Sequence, residues 1–324
     1  MAGYEDLARR LKNREVIILD GAVGTRLQAM GVKVNNRAWA GVALAEQPDL
    51  VRQMHADYIR AGAEIITTNT YASARHNLAP LGLGEQTAAL NRRAVTLAQE
   101  ARAAAGADHP VAIAGSVSNF GLIERAEAGS VTIYERNFGH RETIGEAQAR
   151  ANLREQAEIL AEAGVDFLLA EPTGTTEQRH WVVEACTAAG LPVWIGFKCH
   201  LVPGDDRPLV GYDSAEPLTE RFAEIVALGG DVVTLFHSTV AATRAALPLV
   251  RARWSGPIAV YPEAERSDYV TETRDDSQAN RLAPEAFLEF ARDCVADGVQ
   301  VVGGCCGVEL DHIRPLKGAL PERI

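Results

Sequence analysis

Eight short runs of nearly unbroken apolar, β-branched residues recur along the chain, and their rhythm narrows the choice of fold more than any other feature. They are Val16–Asp20, Glu64–Thr70, Val111–Ser116, Asp166–Glu171, Val193–Cys199, Val232–His237, Pro257–Tyr261 and Val299–Val302. A strand with one wet face alternates apolar and polar residues, whereas a uniformly apolar run fits a parallel strand buried on both faces. Amphipathic stretches lie between the runs: Pro48–Ala61, Gln86–Ala104, Ile144–Ala163, Thr176–Ala188, Glu216–Ala227, Val240–Arg251 and Pro284–Ala296. Several stop on glycine (Gly62, Gly164, Gly230, Gly298) and feed directly into the next run, the second half of a β/α unit. The pattern predicts an α/β protein, a single (β/α)8 TIM barrel over residues 1–324. A doubly wound open sheet is the alternative, disfavoured because no early strand leads into a GxGxxG turn.

The longer segments, 21–47, 117–143, 200–215 and 262–283, all follow strand C-termini, the face on which such barrels place their active sites. Glu263–Ala283 is polar and charged and is read as a mobile segment or lid. The net charge of -11, with no Lys/Arg-rich stretch, argues against nucleic acid or anionic membranes as partners. No run approaches the roughly eighteen apolar residues of a membrane span, and Met1–Arg14 lacks a signal-peptide core. The five cysteines are odd in number and not spaced as a disulfide framework. A reduced, cytoplasmic protein is expected, with thiols available to a metal or to chemistry. The sequence sets no oligomeric state, and a homo-oligomer is compatible with it.

Cys305 and Cys306 stand in Gly303-Gly304-Cys305-Cys306-Gly307 at the end of the eighth run. Neighbouring residues on a regular strand face opposite ways, so the glycines are expected to free the backbone and let both sulfurs grip one ion. A strained disulfide or two inert thiols is the plainer reading. A catalytic zinc takes three protein ligands and leaves one position open. Candidates for the third are Cys199 and His200 after the fifth strand and His237 after the sixth. Cys186 and Cys294 lie in helices among apolar neighbours and are expected to fill the core. Asp20 ends the first strand, where it caps a turn or faces the pocket. Glu171 ends the fourth and needs a cationic partner, for which a substrate ammonium group would serve. Thr68-Asn69-Thr70-Tyr71 brings short polar groups and an aromatic to the same mouth.

These blocks resemble the homocysteine S-methyltransferases, which include betaine–homocysteine methyltransferases and the homocysteine domain of methionine synthases. The resemblance runs from Leu19-Asp20-Gly21-Ala22-Val23-Gly24-Thr25 to Val302-Gly303-Gly304-Cys305-Cys306-Gly307 and covers nearly the whole chain. It implies a barrel with zinc at its mouth held by three thiolates, two of them Cys305 and Cys306. It further implies that Asp20 and Glu171 hold the amino group of homocysteine, with Trp39, Asn69 and Tyr71 as further substrate-binding positions. Zinc would strip the proton from a thiol whose ordinary pKa is about 8.5. The thiolate would then take a methyl group from a small donor carrying it on a charged sulfur or nitrogen, giving methionine. S-methylmethionine, S-adenosylmethionine and betaine all fit. Methyl-cobalamin chemistry is not expected, since no folate or cobalamin domain follows.

One position departs from the family. Its third thiolate ends the sixth strand, where this chain has Phe236-His237. A Cys2His site remains a good zinc site, with one negative charge fewer and a less electron-rich substrate sulfur. Cys199 ranks second as the third ligand because it lies on another strand. The substitution leaves open a different thiol substrate. It also leaves a metal-dependent hydrolase or lyase in which Glu171 is general base to a metal-bound water, and a redox pair of Cys305 and Cys306.

Overall fold

The computed structural model describes residues 2–122, 144–173, 176–202, 204–211, 216–264 and 282–324. Its central sheet has eight parallel strands: β1 (Ile17–Ile18), β2 (Ile65–Thr67), β3 (Ala112–Val117), β4 (Phe167–Ala170), β5 (Val193–Phe197), β6 (Val232–Thr239), β7 (Ile258–Glu263) and β8 (Val301–Val302). Their order is β1-β8-β7-β6-β5-β4-β3-β2. The two ends of that order meet: Leu19 bridges Ile65, Asp20 N–H donates to Ile65 O (2.9 Å) and Glu64 N–H donates to Ile18 O (2.8 Å). The sheet is therefore a (β/α)8 barrel, as the rhythm of the sequence predicts.

Each apolar run is explained by two buried faces. Ile17, Leu19, Ile65, Phe167, Leu169 and Trp194 belong to an inner cluster, while Ile18, Ile66, Leu168 and Ile195 belong to the outer layer against the helices. The helices that cover the barrel are α2 (Pro48–Ala61), α3 (Thr87–Ala105), α4 (Glu146–Ala163), α5 (Thr176–Ala188), α6 (Leu218–Ala227), α7 (Val240–Arg251), α8 (Pro284–Ala296) and the short α9 (Leu310–Ile313). Left-handed glycines stop α2 at Gly62 (φ 111°) and α4 at Gly164 (φ 92°), a conformation that costs a residue with a Cβ. Among the described residues no helix is long and apolar enough to cross a membrane.

The first helix, α1 (Ala2–Lys12), was not anticipated in the charged N-terminus. Its Tyr4, Leu7 and Leu11 fall on one face and enter the inner cluster. Around them, Tyr4 hydroxyl donates to Asp231, Arg10 pairs with Glu64, and Gln300 Nε2 donates to Leu11 O at 2.7 Å. Asp231, Glu64 and Gln300 all directly precede strands, so α1 closes the N-terminal end of the barrel.

A second difference bears on the site. The fifth strand ends at Phe197, and Cys199 opens a hairpin in which Cys199–Val202 pairs antiparallel with Asp205–Val210. Apolarity continues across Lys198, which hid the break. Residues 265–281, and with them the expected lid, lie outside the described residues.

Leu7 is 3% exposed. Leu7→Ala is expected to lower the unfolding free energy by about 2–5 kcal/mol, the usual cost of a buried leucine. Urea unfolding followed by circular dichroism measures it, and an unchanged midpoint would mean that α1 is not seated in the barrel end.

Candidate active site

The chain leaves β8 in a narrow gap. Gly303 N–H donates to Val260 O (3.0 Å), Gly304 N–H to Asp20 O (2.9 Å) and Cys305 N–H to Pro262 O (2.8 Å). A Cβ on Gly303 would lie 2.8 Å from the Asp20 carbonyl oxygen, and one on Gly304 would run into the side chain of Val308. Room rather than backbone freedom demands glycine at these two positions, which corrects the reason expected for them. Gly307 alone of the three is left-handed, with φ 77°. Stitched between β1 and β7, Cys305 and Cys306 keep their sulfurs 3.9 Å apart as free thiols.

His237 reaches them from β6, two strands away. Its φ of 47° is unusual for a residue with a side chain and costs about 1–3 kcal/mol. The register with β7 slips between Phe236 and Thr239 at the same point. Two contacts from the end of β5 hold the turn: Lys198 Nζ donates to His237 O (2.6 Å) and Cys199 N–H donates to Ser238 Oγ (2.8 Å). The imidazole Nδ1 lies 3.3 Å from Cys305 Sγ and 3.6 Å from Cys306 Sγ.

Those spacings can be compared with what a metal requires. Tetrahedral zinc, with Zn–S near 2.3 Å and Zn–N near 2.0–2.1 Å, puts sulfurs about 3.8 Å apart and nitrogen and sulfur about 3.6 Å apart. The three donors fit. Among the described residues they form the one His/Cys/Asp/Glu group whose ligand atoms all lie within 4.8 Å of one another. Burial lowers the His237 pKa, but the Cys306 sulfur and Glu263 outweigh it and leave it raised. The hydrogen bond with Cys306, together with burial, holds the Cys305 thiol well above the usual range.

Cys199, the alternative third ligand, is not brought to this group. Its side chain belongs to the outer apolar layer, and burial pushes its thiol up to about 12. Cys186 and Cys294 are buried in α5 and α8. His200 sits on the hairpin, with Nδ1 at 2.8 Å from Gly211 O.

Two buried carboxyl groups share the chamber. Asp20 accepts from Thr67 N–H (2.7 Å) and from Thr67 Oγ1 (3.1 Å), and burial pushes its pKa up to about 8. Glu171 accepts from Ser116 Oγ and from the Tyr261 hydroxyl, and burial pushes it up to about 7. Glu171 adds to the rise at Asp20, while His237 lowers and Cys306 raises Glu171. Asn69 Nδ2 donates to Ala40 O (2.9 Å), tying the end of β2 to the turn that carries Trp39, and Trp39 itself has φ 46°. Tyr71 stacks obliquely on Phe120, with ring centroids 5.6 Å apart, and packs against the inner cluster, as Cys305 also does.

Sequence reasoning did not single out Thr67, Ser116, Lys198, Tyr261 or Glu263. Lys198 offered a signal, as a cation closing an apolar strand and buried to 6% exposure. Glu263 offered another, at the strand end between those that carry His237 and Cys305.

Comparison with known proteins places the chain in a family. A profile of the homocysteine S-methyltransferase family matches residues 17–320. A homocysteine S-methyltransferase of Escherichia coli is 30% identical over 98% of this chain and 99% of its own length. A selenocysteine methyltransferase of Astragalus bisulcatus is 27% identical over 92% of this chain and 90% of its own. The crystal structure of the E. coli homocysteine methyltransferase MmuM in its metallated form superposes with a TM-score of 0.70 at 26% identity, covering 95% of this chain and 97% of that one. The chain belongs to the homocysteine S-methyltransferase family and is a methyltransferase.

Proposed function

We propose that the protein is a zinc-dependent S-methyltransferase that moves a methyl group from a small onium-type donor to the thiol of homocysteine, giving methionine. The observation that carries this reading is the set of three donors, His237 Nδ1 and the sulfurs of Cys305 and Cys306, at tetrahedral spacings in one chamber with two buried carboxyl groups. The relatives named above support the acceptor, and the metallated form of the E. coli enzyme supports the metal.

Zinc bound by these residues would supply the Lewis acidity that keeps a substrate thiol deprotonated at neutral pH. Everything else falls to the chain. Asp20 and Glu171 are costly to ionise while alone, and an ammonium group between them removes that cost. They therefore select an acceptor that carries a primary amine and fix its distance from the metal ligands. Thr67, Ser116 and Tyr261 hold the two carboxylates in place. The bond between acceptor sulfur and methyl carbon forms as the donor bond to its charged heteroatom breaks, and the electron pair leaves on the donor. Since the donor loses its charge in this step, a chamber rich in carboxylate and thiolate favours binding the cationic reactant and releasing the neutral product. The protein's part is orientation and field.

Three outcomes are expected. His237→Ala loses stoichiometric zinc and methionine formation, while Cys199→Ala keeps both; metal analysis and product assay on the purified variants decide between the ligands. A screen of onium donors with homocysteine yields methionine from at least one, and failure with all of them would sink the acceptor assignment. The third concerns pH. Asp20 and Glu171 bind protons more tightly in the folded chain than in the unfolded one, where a carboxyl has a pKa of about 4. The unliganded fold therefore loses stability as pH climbs from about 4 through the values of about 7 and 8. Homocysteine should raise the melting temperature more at pH 8 than at pH 6, and Asp20→Asn with Glu171→Gln should abolish that difference in differential scanning fluorimetry.

A further inference from the structure

We infer that a recess on the floor of the barrel, bordered by Arg14, Arg292 and Arg323, binds the phosphate group of a small phosphate monoester with an apolar body. The inference stands apart from the metal reading: the recess lies where β1 and β8 begin, at the opposite end of the barrel from Cys305 and Cys306.

Three segments build the recess. At φ 59°, in the left-handed region, Arg14 turns the chain between α1 and β1. The residues after Pro321 run back along this turn: Val16 N–H donates to Glu322 O (2.9 Å), Ile324 N–H to Arg14 O (3.1 Å) and Arg14 Nε to Ile324 O (3.2 Å). The end of α8 and the turn at Gly298 close the third side. Between them lies a volume of about 300 Å3, the lower end of the range for small-ligand pockets. Val295, Ala296, Pro321 and Ile324 give it an apolar lining, which the three arginines interrupt.

Its charge is unbalanced, in a chain whose net charge is -11. Among the described residues, the Arg292 side chain makes no hydrogen bond or ion pair. Arg323 meets Glu15 at 3.9 Å, and that carboxylate is already held by Arg10 at 2.9 Å. Arg14 has a main-chain oxygen, that of Ile324, as its partner. Behind the wall, Arg251 donates to Gly298 O, and its buried Nε has no partner. Burial and the positive charge of Arg14 hold Arg251 below the usual guanidinium range, against a smaller pull from Asp297. The plainer role for such arginines is to answer the carbonyls at the end of α8, which draw cations. Arg251 fills that role at Gly298, and among the described residues no side-chain hydrogen bond runs from Arg14, Arg292 or Arg323 to α8. Guanidinium groups collected at one hollow repel one another until an anion enters. A phosphate monoester brings about -1.5 to -2 charges and three acceptor oxygens, where a carboxylate brings a single charge and two oxygens. Guanidinium forks match phosphate oxygens in pairs, and the apolar lining takes the carbon body.

The test is isothermal titration calorimetry of the full-length chain with phenyl phosphate at low ionic strength, alongside inorganic phosphate and phenylacetate. Phenyl phosphate is expected to bind at one site, about tenfold or more tighter than either companion, since one lacks its apolar body and the other its second charge. Arg292→Gln combined with Arg323→Gln is expected to weaken that binding about tenfold or more, because each change removes charge-assisted hydrogen bonds. Both side chains are exposed and remote from the metal ligands, and Arg292→Gln alone gives the same readout should the double variant fold poorly. No saturable heat up to about 10 mM phenyl phosphate would overturn the inference. Equal affinity in the parent and the variants would overturn it too, because the ligand would then sit elsewhere. Phenylacetate binding as tightly would overturn the choice of phosphate, and inorganic phosphate binding as tightly would overturn the apolar body.

Discussion

The close passage of the β8 exit beside β1 is the constraint on which the site depends. The backbone at Gly303 and Gly304 runs against Leu19, Asp20 and Val308 with no space for a Cβ. In that gap Gly304 N–H holds the carbonyl of the very residue whose carboxylate faces the chamber. The thiols and Asp20 are thus set relative to one another by main-chain contacts, not by flexible side chains. Main-chain hydrogen bonds in a packed barrel move little, which is what a reaction sensitive to tenths of an ångström asks of its scaffold. The wall two strands away is built differently. His237 is held in a left-handed conformation by Lys198 and Ser238, and the histidine is therefore the part of the donor set that side-chain contacts tune.

Electrostatics explains why so much strained and buried polarity gathers at one end of the barrel. Among the described residues, Asp20, Glu171, Glu263 and two thiols gather at this end of the barrel, against the imidazole of His237 and Lys198, whose Nζ donates to the His237 carbonyl. A cluster so short of cations is unfavourable by itself. Hydrogen bonds from Thr67, Ser116 and Tyr261 relieve part of the imbalance. Under the proposed function, what remains is an affinity for positive charge in three forms: a divalent ion, an ammonium group and an onium methyl donor. On that reading, the same deficit that destabilises the empty fold selects its ligands.

The barrel was legible because each strand is apolar on both faces, a pattern that few other folds require. The thiols were legible because glycine surrounds them, although the reason for the glycines was crowding, visible only once Val308 and Asp20 are placed beside them. Asp20 and Glu171 could be picked out as charges at apolar strand ends, but Thr67 and Ser116 could not, since partnership across strands depends on register that no single sequence carries. α1 went unnoticed because Tyr4, Leu7 and Leu11 are spread among charged residues and no glycine or proline marks its C-terminal end. Cys199 stood as a rival to His237 while the fifth strand was taken to run two residues further; once the chain breaks at Lys198, its thiol joins the outer layer.

The helix that seals the barrel floor has a consequence for traffic. With Tyr4, Leu7 and Leu11 seated in the inner cluster and Asp231, Glu64 and Gln300 fastening the seal, α1 blocks approach to the barrel interior from that end. Under the proposed reaction the acceptor lies deeper, its amine on Asp20 and Glu171, and the donor enters above it. If donor and acceptor both use the opposite end, that stacking imposes a queue: the acceptor comes in first, the spent donor goes out first, and methionine leaves last. Turnover then depends as much on the order of arrivals and departures as on the chemistry at the sulfur.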